Sequence, residues 1–140
     1  MADCCGSNKA QSLSTSCCGS DKKKTLLLYA CSGGANVAEI ADKAAREMMF
    51  SGCGTMFCLS GLGGDVQGMV QTARDADVNL VIDGCPMECS KKVFDRHGIT
   101  NYRHITVTDL GIEKVKVVRA TDGQVTKVVA KAKEVLDAAK

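Results

Sequence analysis

Thr25-Leu26-Leu27-Leu28-Tyr29-Ala30-Cys31-Ser32-Gly33-Gly34 is a short, continuous apolar run that ends in a cysteine and breaks at two glycines. A run of this length without polar alternation reads as a strand buried on both faces, the usual setting of a parallel strand. Directly after it, Asn36 reads as a helix cap, and Val37, Ile40, Ala41, Ala44, Ala45 and Met48 recur on one helical face. The pattern then returns. Thr55 to Leu59 reads as a second strand, Gly61 to Gly64 as a turn, and Val66, Met69, Val70 and Ala73 as the apolar face of a second helix. Asn79 to Asp83 is a third strand, followed by Gly84-Cys85-Pro86 and a short helix over about 87–97 that Gly98 ends. Tyr102 to Thr108 alternates as a fourth strand, and Lys114 to Arg119 reads as a fifth, at an edge. Val125, Val128, Val129, Ala132, Leu136 and Ala139 mark a last helix.

Strand and helix alternating in this way predict an α/β fold, a three-layer sandwich around a mostly parallel sheet of four to five strands. Its order is expected to be 2-1-3-4, of flavodoxin- or Rossmann-like kind, with right-handed crossovers. The chain has 140 residues, which suits one core, and 45% of them are hydrophobic, enough to fill it without staples. Residues 1–24 stand apart from the expected domain at 25–140. They are polar, and Cys4-Cys5-Gly6-Ser7 repeats as Cys17-Cys18-Gly19-Ser20. So little apolar surface cannot offset the entropy of ordering, so this segment reads as a disordered, cysteine-rich tail. Its vicinal thiols suit soft ions, although a plain extension explains them as well.

The net charge of +2 sits in that tail, where Lys9, Lys22, Lys23 and Lys24 outweigh Asp3 and Asp21; the remaining residues sum to zero. A neutral body argues against a nucleic-acid partner, which would call for a basic face. No stretch has the length of a membrane span, and the first residues lack the apolar core of a secretory signal. A cytoplasmic location is the expectation. Thiols are kept reduced there, so nine cysteines read as metal ligands or redox groups rather than a disulfide framework.

Four of the nine converge. Cys31 closes the first strand, Cys58 lies near the end of the second, and Cys85 follows the third. In an open parallel sheet the carboxyl ends share one side, where ligands bind, and neighbouring strands lie about 4.8 Å apart. With Pro86 at a first helical position, Cys89 falls about one turn beyond Cys85 on the same helix face. Four thiolates suit a tetrahedral zinc ion, and a C-x3-C spacing is common for pairs of zinc ligands. The expected metal ligands are therefore Cys31, Cys58, Cys85 and Cys89, with Zn2+ as the cofactor and an iron–sulfur cluster ranked below it. No catalytic residue is assigned.

Cys31-Ser32-Gly33, Cys58-Leu59 with the glycines after it, and above all Asp83-Gly84-Cys85-Pro86-Met87-Glu88-Cys89 resemble the DGC-domain family. Val107-Thr108-Asp109-Leu110-Gly111-Ile112 is similar to a later segment of that family, and the likeness runs over about residues 25–138. The resemblance implies zinc binding by four cysteines matching Cys31, Cys58, Cys85 and Cys89, with a role in metal binding, sensing or transfer.

A thiol enzyme for redox or sulfur-transfer chemistry is the alternative, with Cys31 as nucleophile, Cys85 and Cys89 as a resolving pair and Asp83 assisting. Asp83 also reads more simply as a turn cap before Gly84. Cys53, in Gly52-Cys53-Gly54, falls at the opposite end of the sheet and reads as structural. His97 reads as a helix C-terminal residue, and His104 fits no ligand pattern. The glycine loop after Cys31 lacks the arginine of a phosphatase loop, since position 37 is valine.

Overall fold

The computed structural model describes residues 24–138. Within them, strands β1 (Leu26–Ala30), β2 (Thr55–Met56), β3 (Val78–Asp83) and β4 (Tyr102–Thr106) form one parallel sheet in the order β2-β1-β3-β4. This is the 2-1-3-4 order that the alternation predicts. The register pairs Leu28 with Leu80, and Ile82 with Ile105, across the centre. Helices α1 (Asn36–Phe50) and α5 (Asp122–Asp137) cover one face; α2 (Leu59–Gly63), α3 (Gln67–Asp75) and α4 (Cys89–Arg96) cover the other. No helix among the described residues is long and apolar enough to cross a membrane. The tail read at residues 1–24 lies, except for Lys24, outside the described residues, as does Ala139.

The two cores follow from strand alternation. Leu28, Leu80 and Ile82 turn toward α1 and α5, where Ala41, Ala44 and Ala45 are small enough for the helix pair to pack closely. Leu27, Tyr29 and Val81 turn the other way, against Leu62, Val70, Ala73 and Phe94. Four of the five aromatic residues meet in this second core. Tyr29 lies edge-on to Phe57 at 6.0 Å and to Phe94 at 4.9 Å, and Phe94 to Tyr102 at 5.4 Å.

Four local expectations are corrected. The sheet has four strands rather than five, because the segment 114–119 makes only one antiparallel bridge, Lys116 to Ala35. Asn36 explains that bridge. It is not the cap of α1, since Ala35 takes that position; its buried side chain instead reaches across the chain. Its amide nitrogen donates to Glu113 O at 3.0 Å and its oxygen accepts from Val115 N at 2.7 Å. The second strand is short, since Cys58 already caps a helix in which Gly61 and Gly63 take part. The fourth strand stops at Thr106, and a 3-10 turn takes Val107–Leu110.

The start of α4 also departs from expectation. Glu88 N donates to Cys85 O at 3.1 Å, so residues 85–88 form a tight turn with Pro86 at its second position, where its fixed φ is favoured. Glu88 leaves the turn in the left-handed region at φ 50°, and helical structure begins only at Cys89. Cys85 and Cys89 therefore do not share a helix face.

Candidate thiol site

Cys31 is held from two sides. Its backbone N continues the β1–β3 ladder to Ile82 O at 3.0 Å, and its Sγ accepts from Gly84 N at 3.1 Å. Gly84 permits this approach. A Cβ there would stand 3.0 Å from the backbone of Val37 at the start of α1, so a side chain would force β3 and α1 apart. Cys85 follows, half-buried, and Lys114 Nζ donates to its Sγ at 3.3 Å. Cys89 opens α4 and is exposed.

The turn that carries Cys85 and Cys89 is closed by Asp83. Its carboxylate, 1% exposed, accepts from Ser90 N at 2.8 Å on Oδ1 and from Lys91 N at 3.0 Å on Oδ2. Those are free amides of the first turn of α4, whose own cap position, Glu88, offers no side-chain bond. His104, which pairs with Val81 on the neighbouring strand, brings Nε2 to 2.9 Å from Oδ2. A carboxylate only accepts, so that nitrogen carries the proton. Burial opposes the charge on Asp83, but the hydrogen bonds from His104, Ser90 and Lys91 outweigh it and hold the carboxyl below its usual range. Asp83 thus caps a helix seven and eight residues ahead rather than the turn beside it, and the Ser90 and Lys91 amides are engaged by it.

The electrostatics bind these groups into one cluster. Burial pushes the Cys31 thiol up to about 11; the Gly84 amide works against this, while the charges of Asp83, Cys85 and Cys89 add to it. Asp83, Cys85 and Cys89 thus all lie near enough to Cys31 for a negative charge on any of them to act on its thiol. Cys58 stands at the edge of the group. It is exposed, its Sγ accepts from Gly61 N at 3.4 Å, and it opens on a shallow depression of about 410 Å3 beside Ser32, Arg46 and Phe57. Its charge reaches the Tyr29 phenol, which burial first and Cys58 second push up.

The remaining candidates have structural partners. Ser51 Oγ donates to Cys53 Sγ at 3.4 Å, next to the turn that ends α1. His97 is the C-terminal cap residue of α4, and its Nε2 donates to Leu62 O at 2.7 Å, tying α4 to α2. Neither Lys114 on Cys85 nor His104 on Asp83 was legible in the sequence. The first contact spans 29 positions and the second depends on the β3–β4 register.

As a donor set, four thiols at one end of the sheet have the chemistry that zinc takes. Among the described residues, however, no group of three or more Cys, His, Asp or Glu side chains stands close enough to hold a metal ion as arranged. Cys31, Cys58 and Cys85 instead each accept a hydrogen bond from the protein.

Comparison with known proteins gives two matches. The chain is 39% identical over 88 residues, 63% of its own length and 67% of the other's, to the Anaerobic and virulence modulator AnvM of Pseudomonas aeruginosa. No solved structure matches it. The DGC domain family matches residues 27–132, which hold all of the sheet but its first residue, Leu26, and all four cysteines of the candidate site, and the chain belongs to that family.

Proposed function

We propose that this protein is a regulatory metal-binding protein in which Cys31, Cys58, Cys85 and Cys89 take up zinc. The observation that carries this reading is the bond from Gly84 N to Cys31 Sγ at 3.1 Å, which sets the end of β1 against the segment that runs from Asp83 through Cys85 to Cys89. Negative groups gathered around one thiol penalise its ionisation, and the same field favours a bound cation, which reverses the penalty. Zinc would supply a closed tetrahedral anchor for the thiolates. The chain's own contribution is to hold Cys31 and Cys85 half-buried and leave Cys58 and Cys89 exposed for capture.

Reversible occupancy fits better than a permanent structural ion. The strands and helices around the site are held by two cores and a parallel ladder in which the thiols have a minor part. Metal removal should therefore leave the fold standing. That the Pseudomonas relative is named a modulator supports a regulatory role over a catalytic one.

One contact favours a second reading, a thiol redox or sulfur-transfer enzyme. Lys114 Nζ stands at 3.3 Å from Cys85 Sγ, and a cation beside a sulfur is a setting in which nucleophilic thiols occur. In that case Cys85 would attack, because Cys31, raised to about 11, stays protonated at neutral pH.

The test is elemental mass spectrometry of protein purified under reducing conditions, with Cys4, Cys5, Cys17 and Cys18 changed to serine to silence the tail. About one zinc per chain is expected, lost in Cys31→Ser, Cys58→Ser, Cys85→Ser and Cys89→Ser and kept in Cys53→Ser. Absence of zinc, with turnover of a disulfide or persulfide substrate abolished by Cys85→Ser, would favour the second reading.

A further inference from the structure

We propose that the strip Lys114–Arg119 is a docking edge that takes an extended, acidic segment of a partner protein as an added β-strand. This does not rest on the metal reading. Lys114-Val115-Lys116-Val117-Val118-Arg119 has the composition and alternation of a strand, yet the sheet leaves it out. One of its edges is already organised. Val115 O accepts from Asn36 N at 2.9 Å, and Val115 N donates to the Asn36 side chain at 2.7 Å. In an extended chain the backbone groups of alternate residues point to opposite sides, so those of Lys114 and Lys116 face away from Asn36. Among the described residues they have no hydrogen-bond partner.

The strip is also strained and apolar where it is most open. Val117 holds φ 60° and is 98% exposed, and Val118 is 52% exposed. A β-branched residue in the left-handed region is an outlier, and such strain concentrates in functional segments. Pairing along the open edge would return Val117 to the extended region and cover both valines. Strand addition of this kind draws affinity from main-chain bonds and specificity from alternate side chains.

Charge decides the occupant. The strip holds Lys114, Lys116 and Arg119, with Glu113 just before it and Glu39 nearby, the latter engaged with Lys43 and the Ala120 amide. Lys114 is directed at Cys85, and Arg119 lies within the field of Glu39, which leaves Lys116 as the central cation. Two copies of the strip side by side would bring cation against cation, which is unfavourable across strands. The chain's first 24 residues carry four lysines against two aspartates and repel the strip in the same way. An acidic partner strand alternating with apolar residues meets both requirements.

The probe is a capped synthetic peptide of about ten residues alternating glutamate with valine and threonine, a length suited to covering the strip. Its control replaces glutamate with lysine. Binding to the full chain is followed by fluorescence anisotropy and by amide hydrogen exchange. The acidic peptide should bind and slow exchange at residues 114–118, and the control should not. Lys116→Glu should weaken the acidic peptide about tenfold or more and reverse the preference toward the control. Val117→Gly, which is relaxed at positive φ before any partner arrives, should melt no lower than the parent and bind the peptide severalfold more weakly. The proposal is overturned if the acidic peptide does not bind at millimolar concentration. Binding that leaves exchange at the strip unchanged, or that survives Lys116→Glu or Val117→Gly at full strength, overturns it equally.

Discussion

Replacing Asp83 with alanine is expected to cost about 2–5 kcal/mol of folding stability, since a buried donor left without its partner costs about 1–3 kcal/mol and a lost helix cap about 1 kcal/mol more. The carboxylate is 1% exposed and serves three donors, Ser90 N, Lys91 N and His104 Nε2. Alanine leaves all three without an acceptor where water reaches poorly, and it uncaps α4 besides. Domains of this size are stable by only about 5–15 kcal/mol, so the variant should unfold at much lower urea concentration. Asp83→Asn, which retains one acceptor oxygen, should lose less. Urea titration followed by circular dichroism, with hydrogen exchange at Ser90 and Lys91, measures both effects. A loss below about 1 kcal/mol in the alanine variant would mean that the carboxylate is not the cap that closes the thiol-bearing turn.

Zinc affinity is expected to climb about tenfold for each pH unit between neutrality and pH 9 through Cys31 alone. Zinc binds the thiolate, and the Cys31 proton, held up to about 11, must leave first. Each unit of pH makes that release ten times easier until the solution reaches the thiol's own range. Other ligands that release protons on binding can only steepen the dependence. The metal-free fold is expected to follow the opposite trend. A raised thiol contributes stability that is complete below pH 9.0 and is lost as pH rises through about 11. Competition against a chromophoric chelator at several pH values gives the slope. An affinity that is flat over this range would show that Cys31 takes no part in binding.

The fold was legible because its strands are unusually plain. Leu26 to Ala30 and Leu80 to Ile82 are continuous apolar runs, each broken by a cysteine or aspartate before glycine, and few arrangements besides a doubly covered parallel sheet suit them. The strand order followed, and with it the gathering of Cys31 and Cys85 beyond β1 and β3. Local chemistry set the limits of the reading. Pro86 fits a first helical position and the second position of a turn equally well, and the Cys85–Glu88 bond decided for the turn. Cys58 read as a strand residue because Phe57 and Leu59 flank it, but its sulfur caps a helix. Long-range partners had no local signal. Asn36 reaching the segment 113–115, Lys114 on Cys85 and His104 on Asp83 join positions 21 to 79 residues apart. Lys114 to Arg119 had a strand's sequence without a strand's place, and such disagreements are where function is worth seeking.

The most direct test of the account is X-ray absorption at the zinc edge on the zinc-loaded protein with the four tail cysteines changed to serine. Four sulfur neighbours at about 2.3 Å, falling to three in each of Cys31→Ser, Cys58→Ser, Cys85→Ser and Cys89→Ser, is the predicted result. A shell of oxygen and nitrogen, or a sulfur count indifferent to those substitutions, would contradict it.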